Sequence, residues 1–213
     1  MNQLIKNILL FIENREDTTI RICGHGASGK TTFAEKLCAH FTDVPHNLLS
    51  TDPYIIPSHY RQYTFTNDSR EDSDRFNPVT ACMAAADELS SLERDIRMLK
   101  EGINFLTIDV PWQPAHRMYQ DRKIHIVEGM SATFLPPSLF DLSVYIYTDS
   151  DTELNRRLYR DVELRGKDRQ LLLDSHTFRR RQYDLHMHEE RKHFDVVIDD
   201  SNSAFNIIKS PFH

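Results

Sequence analysis

The feature that most constrains the fold is a glycine-rich segment near the N-terminus of the chain. It reads Gly24-His25-Gly26-Ala27-Ser28-Gly29-Lys30-Thr31 and fits the pattern GxxxxGK[ST]. A short β-branched segment precedes it, and a helical pattern begins at Lys30. The alternative is a glycine-rich turn without a ligand, but composition alone produces this pattern in roughly one chain in a hundred of this length. The sequence therefore predicts a strand-loop-helix unit whose backbone N–H groups hold phosphate.

The polar side chains of this loop have expected roles. Lys30 is expected to reach the β- and γ-phosphates of a nucleotide and to act in catalysis, while the Thr31 hydroxyl is expected to bind Mg²⁺. ATP and Mg²⁺ are therefore the expected ligands. The residues expected to contact the nucleotide in this segment are Gly24, Gly26, Ala27, Ser28, Gly29, Lys30, Thr31 and Thr32.

The loop alone does not separate kinases from GTPases, ATP-driven motors or metallochaperones. The sequence contains no NKxD segment, which counts against an ordinary regulatory GTPase. A chain of 213 residues also lacks the additional length that most motors use for coupling. The leading remaining interpretation is a small-molecule kinase that transfers the γ-phosphoryl group of ATP to an alcohol.

Charge and cysteine content limit the partners and the compartment. A net charge of -6 and a pI near 6.0 argue against a nucleic-acid or membrane-surface binder. The cysteines Cys23, Cys38 and Cys82 form no CxxC pair, so neither a disulfide framework nor a thiolate metal site is indicated. We expect a cytoplasmic protein that binds a small-molecule acceptor, without a targeting segment. The sequence leaves open whether the protein forms a homo-oligomer.

Alternating strand and helix patterns predict an α/β fold with a mostly parallel sheet covered on both faces. Predicted helices lie at about 1–15, from 30, and at 78–100, 151–164 and 174–192; predicted strands lie at 18–23, 46–50, 105–108, 124–127, 144–147 and 196–198. We expect one P-loop NTPase-type three-layer domain over residues 1–213, with about five strands in its sheet. An acceptor-binding excursion is expected over 53–117, and a lid segment over 155–170.

Two carboxylates follow predicted strands. Asp52 lies after the second strand, where ligands bind in open α/β sheets, and its carboxylate can accept a proton from an acceptor hydroxyl. Glu128 ends an apolar strand and is expected to face Mg²⁺ and its waters. The alternatives are an Asx turn at Asp52 and a strand-end turn at Glu128.

An arginine-rich segment lies within the predicted lid. Arg157 and Arg160 are three residues apart on one helical face, so both can meet phosphate, and Gly166 can act as a hinge. The alternative is a solvated helix whose arginines form salt bridges. The later run Arg179-Arg180-Arg181 is predicted to lie on an exposed helix face.

The combined pattern resembles the uridine kinase and phosphoribulokinase family of P-loop kinases. The resemblance comprises residues 26–32, 50–54, 127–129, 157–166 and 194–198, in that order along the chain. It implies that Asp52 is the catalytic base and that Arg157, Arg160 and Arg165 belong to a lid that contacts the phosphates of ATP. Of these lid residues, Arg160 and Arg165 are expected to act in catalysis. Uridine and cytidine are the first candidate acceptors.

The acceptor side departs from the family pattern. Residues 74–82 lack both acids of the family's ribose-holding segment at the matching distances from Pro78, and Phe76 and Asn77 stand where an Asp and a His are expected. The following hairpin is shorter and keeps His116-Arg117. Two alternatives therefore remain: a kinase for another hydroxylated metabolite, and a nucleotide-binding regulator without transfer activity.

Overall fold

The computed structural model describes residues 1–41, 44–66 and 77–212. Its strands are β1 (Thr18–Cys23), β2 (His46–Ser50), β3 (Phe65–Thr66), β4 (Asn77–Pro78), β5 (Phe105–Leu106), β6 (Arg117–Met118), β7 (Ile124–Glu128), β8 (Leu142–Tyr147), β9 (Val196–Asp199) and β10 (Asn206–Lys209). Its α-helices are α1 (Asn2–Glu13), α2 (Lys30–Cys38), α3 (Ser58–Arg61), α4 (Leu89–Lys100), α5 (Ser150–Arg157) and α6 (Arg169–Gln182).

The central sheet has six strands in the order β10-β9-β8-β1-β7-β2. Neighbouring strands from β9 to β2 are parallel, and β10 is antiparallel to β9. The predicted α/β class and mostly parallel sheet are therefore confirmed. The sixth strand was not predicted because every residue of β10 is exposed, so the strand has no buried face and no apolar alternation.

Two predicted elements are wrong in extent. Only Phe105–Leu106 of the predicted strand at 105–108 is extended, and it pairs with β6 in a separate antiparallel ribbon. The helix predicted from residue 78 begins at Leu89. The reason lies in a distant side chain: Gln182 accepts from the backbone N–H of Thr80 at 2.9 Å and donates to the carbonyl of Pro78 at 3.1 Å. These bonds hold the chain out of a helix.

The lid and the last predicted helix also differ from expectation. After α5 the chain continues as a π-helical segment, Leu158–Glu163. Of the lid arginines, Arg157 ends the regular α-helix, Arg160 lies in the π-helical segment, and Arg165 follows it. The helix predicted at about 174–192 is α6, which starts five residues earlier, followed by further short helical turns. Within the described residues, no helix is both long and apolar enough for a bilayer crossing.

Apolar side chains pack on both faces of the sheet. In β1, Ile20 and Ile22 point to one face, while Cys23 belongs to the core of the opposite face. Helix α1 buries four apolar residues against the first face, namely Leu4, Ile5, Ile8 and Ile12, as its spacing predicted. The second face is covered by α4 and by the turns after α6. The three predicted layers are therefore present.

One buried cation ties the second layer to the sheet. Arg21 is fully buried in β1 and donates from Nε to Ser143 Oγ at 2.9 Å. Its Nη1 donates to the carbonyl oxygens of Ala132 and Leu135, both at 3.0 Å. Its guanidinium carbon lies 4.0 Å from the ring centroid of Phe194, a cation–π distance.

We expect Arg21→Ala to lower the free energy of unfolding by about 3 kcal/mol, because it leaves buried carbonyl groups unpaired and opens a cavity. Urea unfolding followed by circular dichroism measures the change. The matched control is Arg97→Ala, which removes a 56% exposed side chain paired with Glu93 and should change the free energy by less than about 1 kcal/mol. Equal effects of the two substitutions would contradict the structural role of Arg21.

Candidate active site

The carboxyl ends of β1, β7 and β2 meet at one edge of the sheet. Ile22 and Ser50 both lie in register with Glu128, so the three strands end at the same level. The glycine-rich loop leaves β1 at Gly24, and Asp52 follows β2 after one residue. The parallel order therefore brings the predicted phosphate loop and both predicted carboxylates to one edge.

The loop packs tightly against the end of β8. Gly24 has a φ of 145°, and a Cβ at this position would collide with the carbonyl oxygen of Ile146. Within the loop, the Ser28 N–H donates to the carbonyl of His25 at 3.3 Å. Gly29, with a φ of 97°, is the N-cap of α2, so the loop leads directly into the helix N-terminus, as the sequence predicted.

The side chain of His25 connects the loop to the residue that follows β8. Its Nε2 accepts from the Thr148 N–H at 3.0 Å, so its Nδ1 carries the proton and donates to the carbonyl of Gly26 at 2.9 Å. Burial lowers the pKa of His25 to about 4, so the ring is neutral at physiological pH. The imidazole therefore links the loop to the end of β8 without adding charge.

The side chains of Lys30, Thr31 and Glu128 converge at the start of α2. Thr31 Oγ1 donates to Glu128 Oε1 at 3.0 Å, and Lys30 Nζ lies 3.8 Å from the same oxygen. Burial raises the pKa of Glu128, and the Lys30 charge opposes that shift. A hydroxyl beside a carboxylate fits a magnesium site that is completed by phosphate and water. Within the described residues, no cluster of three or more His, Cys, Asp or Glu side chains offers a metal site made by protein alone.

A cavity of about 400 Å³ opens on the outer side of the loop. Its walls include residues 29–33 together with Met1, Ala27, Ile146, Arg156, Arg160, Arg165, Asp200 and Phe205. Two of the predicted lid arginines, Arg160 and Arg165, thus lie beside the phosphate loop. Arg156 was not predicted; it reaches the carbonyl of Ala27 at 3.4 Å and pairs with Asp200 at 3.0 Å.

Asp161 holds the lid arginines together. Arg160 donates to both of its carboxylate oxygens, at 2.9 and 3.0 Å, and Arg165 Nη1 lies 3.3 Å away. Burial alone would raise the pKa of Asp161, but Arg160 and the other nearby cations lower it. Arg157 lies apart from the residues that line the 400 Å³ cavity and faces Glu153 and Asp161, each at 3.8 Å. Its predicted phosphate contact stays a prediction.

Two further carboxylates follow the end of β2 in the structure, and neither is among the residues that line the 400 Å³ cavity. Asp52 is exposed. Asp87 is buried, accepts from Ser131 Oγ at 2.8 Å through Oδ1, and has no hydrogen-bond partner for Oδ2 within the described residues. Burial raises the pKa of Asp87 to about 7, with a further upward contribution from the charge of Asp52. The comparable segment before it, Asp74-Arg75-Phe76, lies outside the described residues.

Sequence reasoning missed Asp87 and misjudged the arginine run after the lid. Asp87 lies nine residues after Pro78, beyond the spacing searched, and no periodic pattern marks it. The prediction of an exposed face for the run is wrong for Arg179 and Arg180, whose side chains are only 18% and 17% exposed. Only Arg181 is exposed. The first two turn inward because they face the buried carboxylate Glu153, at 3.8 and 3.3 Å.

The sequence matches a known family and several of its members over most of its length. A sequence model of the Phosphoribulokinase / Uridine kinase family matches residues 19–204. The chain is 27% identical over 199 residues to a uridine kinase of Macrococcus caseolyticus, covering 87% of this chain and 89% of that protein. It is 26% identical over 191 residues to uridine-cytidine kinase B of Dictyostelium discoideum, covering 84% and 73%.

The fold itself is found in a solved structure. The phosphoribulokinase from Rhodobacter spheroides superposes with a TM-score of 0.63 at 16% identity, covering 86% of this chain and 70% of that one. Because the family model spans most of the chain, and the phosphate loop and the lid arginines lie together, the chain belongs to the phosphoribulokinase / uridine kinase family and is an ATP-dependent phosphotransferase that acts on an alcohol.

Proposed function

We propose that this protein is a uridine kinase-like enzyme that transfers the γ-phosphoryl group of ATP to the primary hydroxyl of a small metabolite. Uridine and cytidine are the first candidate acceptors, as the names of the curated relatives suggest. The observation that carries the proposal is the meeting, at one sheet edge, of Lys30 and Thr31 with Glu128, beside the acceptor-side carboxylates Asp52 and Asp87.

On the donor side, ATP occupies the 400 Å³ cavity with its phosphates on the loop. The backbone N–H groups of residues 26–31 and the Lys30 ammonium neutralise phosphate charge, and Arg160 and Arg165 approach from the lid. Thr31 and Glu128 would hold Mg²⁺, which would offset the charge of the phosphates during transfer. Glu128 suits this role because a cation favours its ionised form, which burial alone disfavours.

On the acceptor side, Asp52 accepts the proton of the attacking hydroxyl. Its carboxylate is exposed to the space in front of the sheet, and its charge is felt at both Glu128 and Asp87. As the acceptor oxygen forms its bond to the γ-phosphorus, the bond from that phosphorus to the β–γ bridging oxygen breaks and ADP leaves. The base therefore acts on the acceptor proton only.

Asp87 orients the acceptor. Its unpartnered Oδ2 is a buried hydrogen-bond acceptor, and such a group is costly unless a ligand donates to it. A polyol such as the ribose of a nucleoside supplies the hydroxyl groups. Residues 74–82 lack a carboxylate at the distance from Pro78 that the family pattern has. Asp87, nine residues after Pro78, takes over that role.

A second candidate acceptor is another hydroxylated metabolite, one that carries an anion. This candidate is favoured by the open groove of about 690 Å³ beside β2, which is lined by Ser50 and by the basic residues His116, Arg117 and Arg122. Ser50 lies two residues before Asp52, so an anionic acceptor in this groove extends toward the transfer site. A regulator without transfer activity would need neither of the acceptor-side carboxylates.

A coupled ADP-release screen over nucleosides, sugars and other alcohols tests the proposed function. We expect release that requires MgATP and one acceptor class, with Lys30→Ala as the inactive reference because it removes the cation on the β- and γ-phosphates. Uridine turnover with kcat/KM above about 10⁴ M⁻¹s⁻¹ would support a nucleoside acceptor. Tight MgATP binding without turnover of any acceptor would instead favour the regulator.

For the base, we expect Asp52→Asn to lower kcat by about 10²-fold or more while the affinity for ATP stays within a few-fold, because general-base catalysis contributes about that much. Steady-state kinetics and ATP titration measure the two effects. Ser50→Ala, which removes the hydroxyl that contacts the Asp52 N–H at 3.4 Å, controls for a merely local disturbance of the turn. A loss of ATP binding with unchanged turnover of bound ATP would make Asp52 structural.

For Asp87, we expect Asp87→Asn to raise the KM for the acceptor by at least about tenfold with little change in the KM for ATP, since a charge-assisted hydrogen bond is lost. In the parent protein, acceptor affinity should rise as pH increases through about 7, because the buried carboxyl group ionises there. The asparagine variant should lose this pH dependence. A KM profile that is the same in both proteins would rule out acceptor binding by Asp87.

A further inference from the structure

We propose that Arg179 is a further catalytic residue, whose guanidinium reaches from α6 to the transferring phosphoryl group beside Gly26. The inference rests on the proposed phosphoryl transfer and adds a residue that lies outside both the phosphate loop and the lid.

Arg179 lies at the inner end of the phosphate loop. Its Nη2 is 3.0 Å from the position that a Cβ on Gly26 would occupy, and 3.8 Å from Met130 Sδ. Gly26 is the third residue of the loop, and Met130 follows Glu128 by two residues. The guanidinium therefore spans the gap between the loop and Met130, just after the strand that ends with the predicted magnesium ligand. Arg156 flanks the other end of the loop, near Gly29.

The same guanidinium borders the acceptor side. The charge of Arg179 lowers the pKa of Arg61, after the larger effect of burial, and Arg61 in turn lowers the pKa of Asp87. Arg61 is held by the carbonyls of Ile56 and Val79, both at 2.6 Å. Arg179 thus lies beside the phosphate loop and close enough to Arg61 for the two charges to interact.

Three guanidinium groups share one buried carboxylate in this region. Glu153, 2% exposed, faces Arg157 and Arg179 at 3.8 Å and Arg180 at 3.3 Å. Burial alone would raise its pKa, but His25 and these three guanidinium groups lower it. Arg157 is also neutralised by Asp161, and Arg180 by Asp184 at 3.3 Å. Arg179 has no second carboxylate among its ion pairs in the described residues.

Arg179 meets its counter-ion at one end only. Arg157 Nη1 and Arg179 Nε both face Glu153 Oε1 at 3.8 Å, an ion-pair distance, and neither makes a hydrogen bond within the described part of the chain. Burial and the neighbouring Arg179 charge both lower the pKa of Arg157, so the two guanidinium groups repel each other. Three guanidinium groups thus share one buried carboxylate, and a further anion nearby is favoured. The Nη2 end of Arg179, beside Gly26, is the end that a γ-phosphoryl group on the loop would meet.

A purely structural role for Arg179 is a poor explanation of this placement. Arg180 already serves as the counter-ion of Glu153, and it also donates to the carbonyl of Thr148 at 3.0 Å. Arg179, in contrast, makes no hydrogen bond from Nε to any residue that the structure describes, and its Nη2 lies beside Gly26 and 3.8 Å from a thioether sulfur. In the transfer step its guanidinium bonds the equatorial oxygens, while the bridging oxygen leaves with ADP and Asp52 takes the acceptor proton.

The test compares Arg179→Ala and Arg179→Lys with Arg181→Ala, a matched control on the exposed face of the same helix. We expect Arg179→Ala to lower kcat by about 10²-fold or more, with the KM for ATP changed only a few-fold. Arg179→Lys should recover only part of this loss, because it lacks the planar fork. Arg181→Ala should keep the activity of the parent protein. Added guanidinium chloride at millimolar concentration should raise the activity of Arg179→Ala and leave that of Arg181→Ala unchanged.

Equilibrium binding separates this inference from the proposed function. The parent protein should bind AMP-PNP more tightly than ADP, and Arg179→Ala should reduce that preference by about tenfold, since it loses a charge-assisted bond to the γ-phosphate. This measurement needs no acceptor. If no alcohol is phosphorylated but the AMP-PNP preference depends on Arg179, the proposed function fails and the γ-phosphate contact stands.

Gly26→Ala is an independent test of the same contact, because the added methyl group would displace the guanidinium of Arg179. The backbone at Gly26 is not left-handed, so alanine fits there without backbone strain. The effect of Gly26→Ala on kcat should be smaller in the Arg179→Ala background than in the parent protein. Unchanged kcat and unchanged AMP-PNP preference in Arg179→Ala would overturn the inference. A fall in thermal stability with equal losses for ADP and AMP-PNP, and no rescue by guanidinium, would also overturn it.

Discussion

A buried carboxylate, Glu153, organises the cationic side of the site. It lies in α5 and faces Arg157 from its own helix and Arg179 and Arg180 from α6, so one charge holds two elements near the phosphate loop. His25 lies 3.5 Å away and stays neutral, because burial lowers its pKa to about 4. If Glu153 were removed, three guanidinium groups would remain in a region of low exposure with too few counter-ions. Glu153 therefore links α5, α6 and the His25 end of the loop, while Asp161 holds the lid arginines Arg160 and Arg165.

The parallel sheet provides the other half of the arrangement. Because β1, β7 and β2 end at the same level, the loop, Glu128 and Asp52 share one edge although they lie far apart in the sequence. The helix N-terminus after Gly29 and the lysine in the loop supply positive charge there. Asp52 and Asp87 supply negative charge on the acceptor side. The resulting division of charge matches a reaction in which an anionic donor meets an alcohol that must lose a proton.

Much of the fold was predictable from local patterns. The α1 face at Leu4, Ile5, Ile8 and Ile12, and the parallel strands of the central sheet, follow from apolar periodicity. The start of α4 was not predictable, because the amide of Gln182, far along the chain, holds the backbone of residues 78–80 outside a helix. Strand β10 was also missed, since an exposed edge strand carries no apolar alternation.

The sequence by itself determined the phosphate-binding chemistry: the spacing of glycines, Lys30 and Thr31 has few other physical uses, and the strand before it and helix after it set the geometry. It also located Asp52, Glu128 and the lid arginines. Only the tertiary structure decided that Asp87 is buried beside Ser131 near the end of β2 and that Arg179 faces inward while Arg181 faces solvent. The physical reason is that these residues are positioned by partners distant in sequence, Ser131 for Asp87 and Glu153 for Arg179, and no local spacing encodes such contacts.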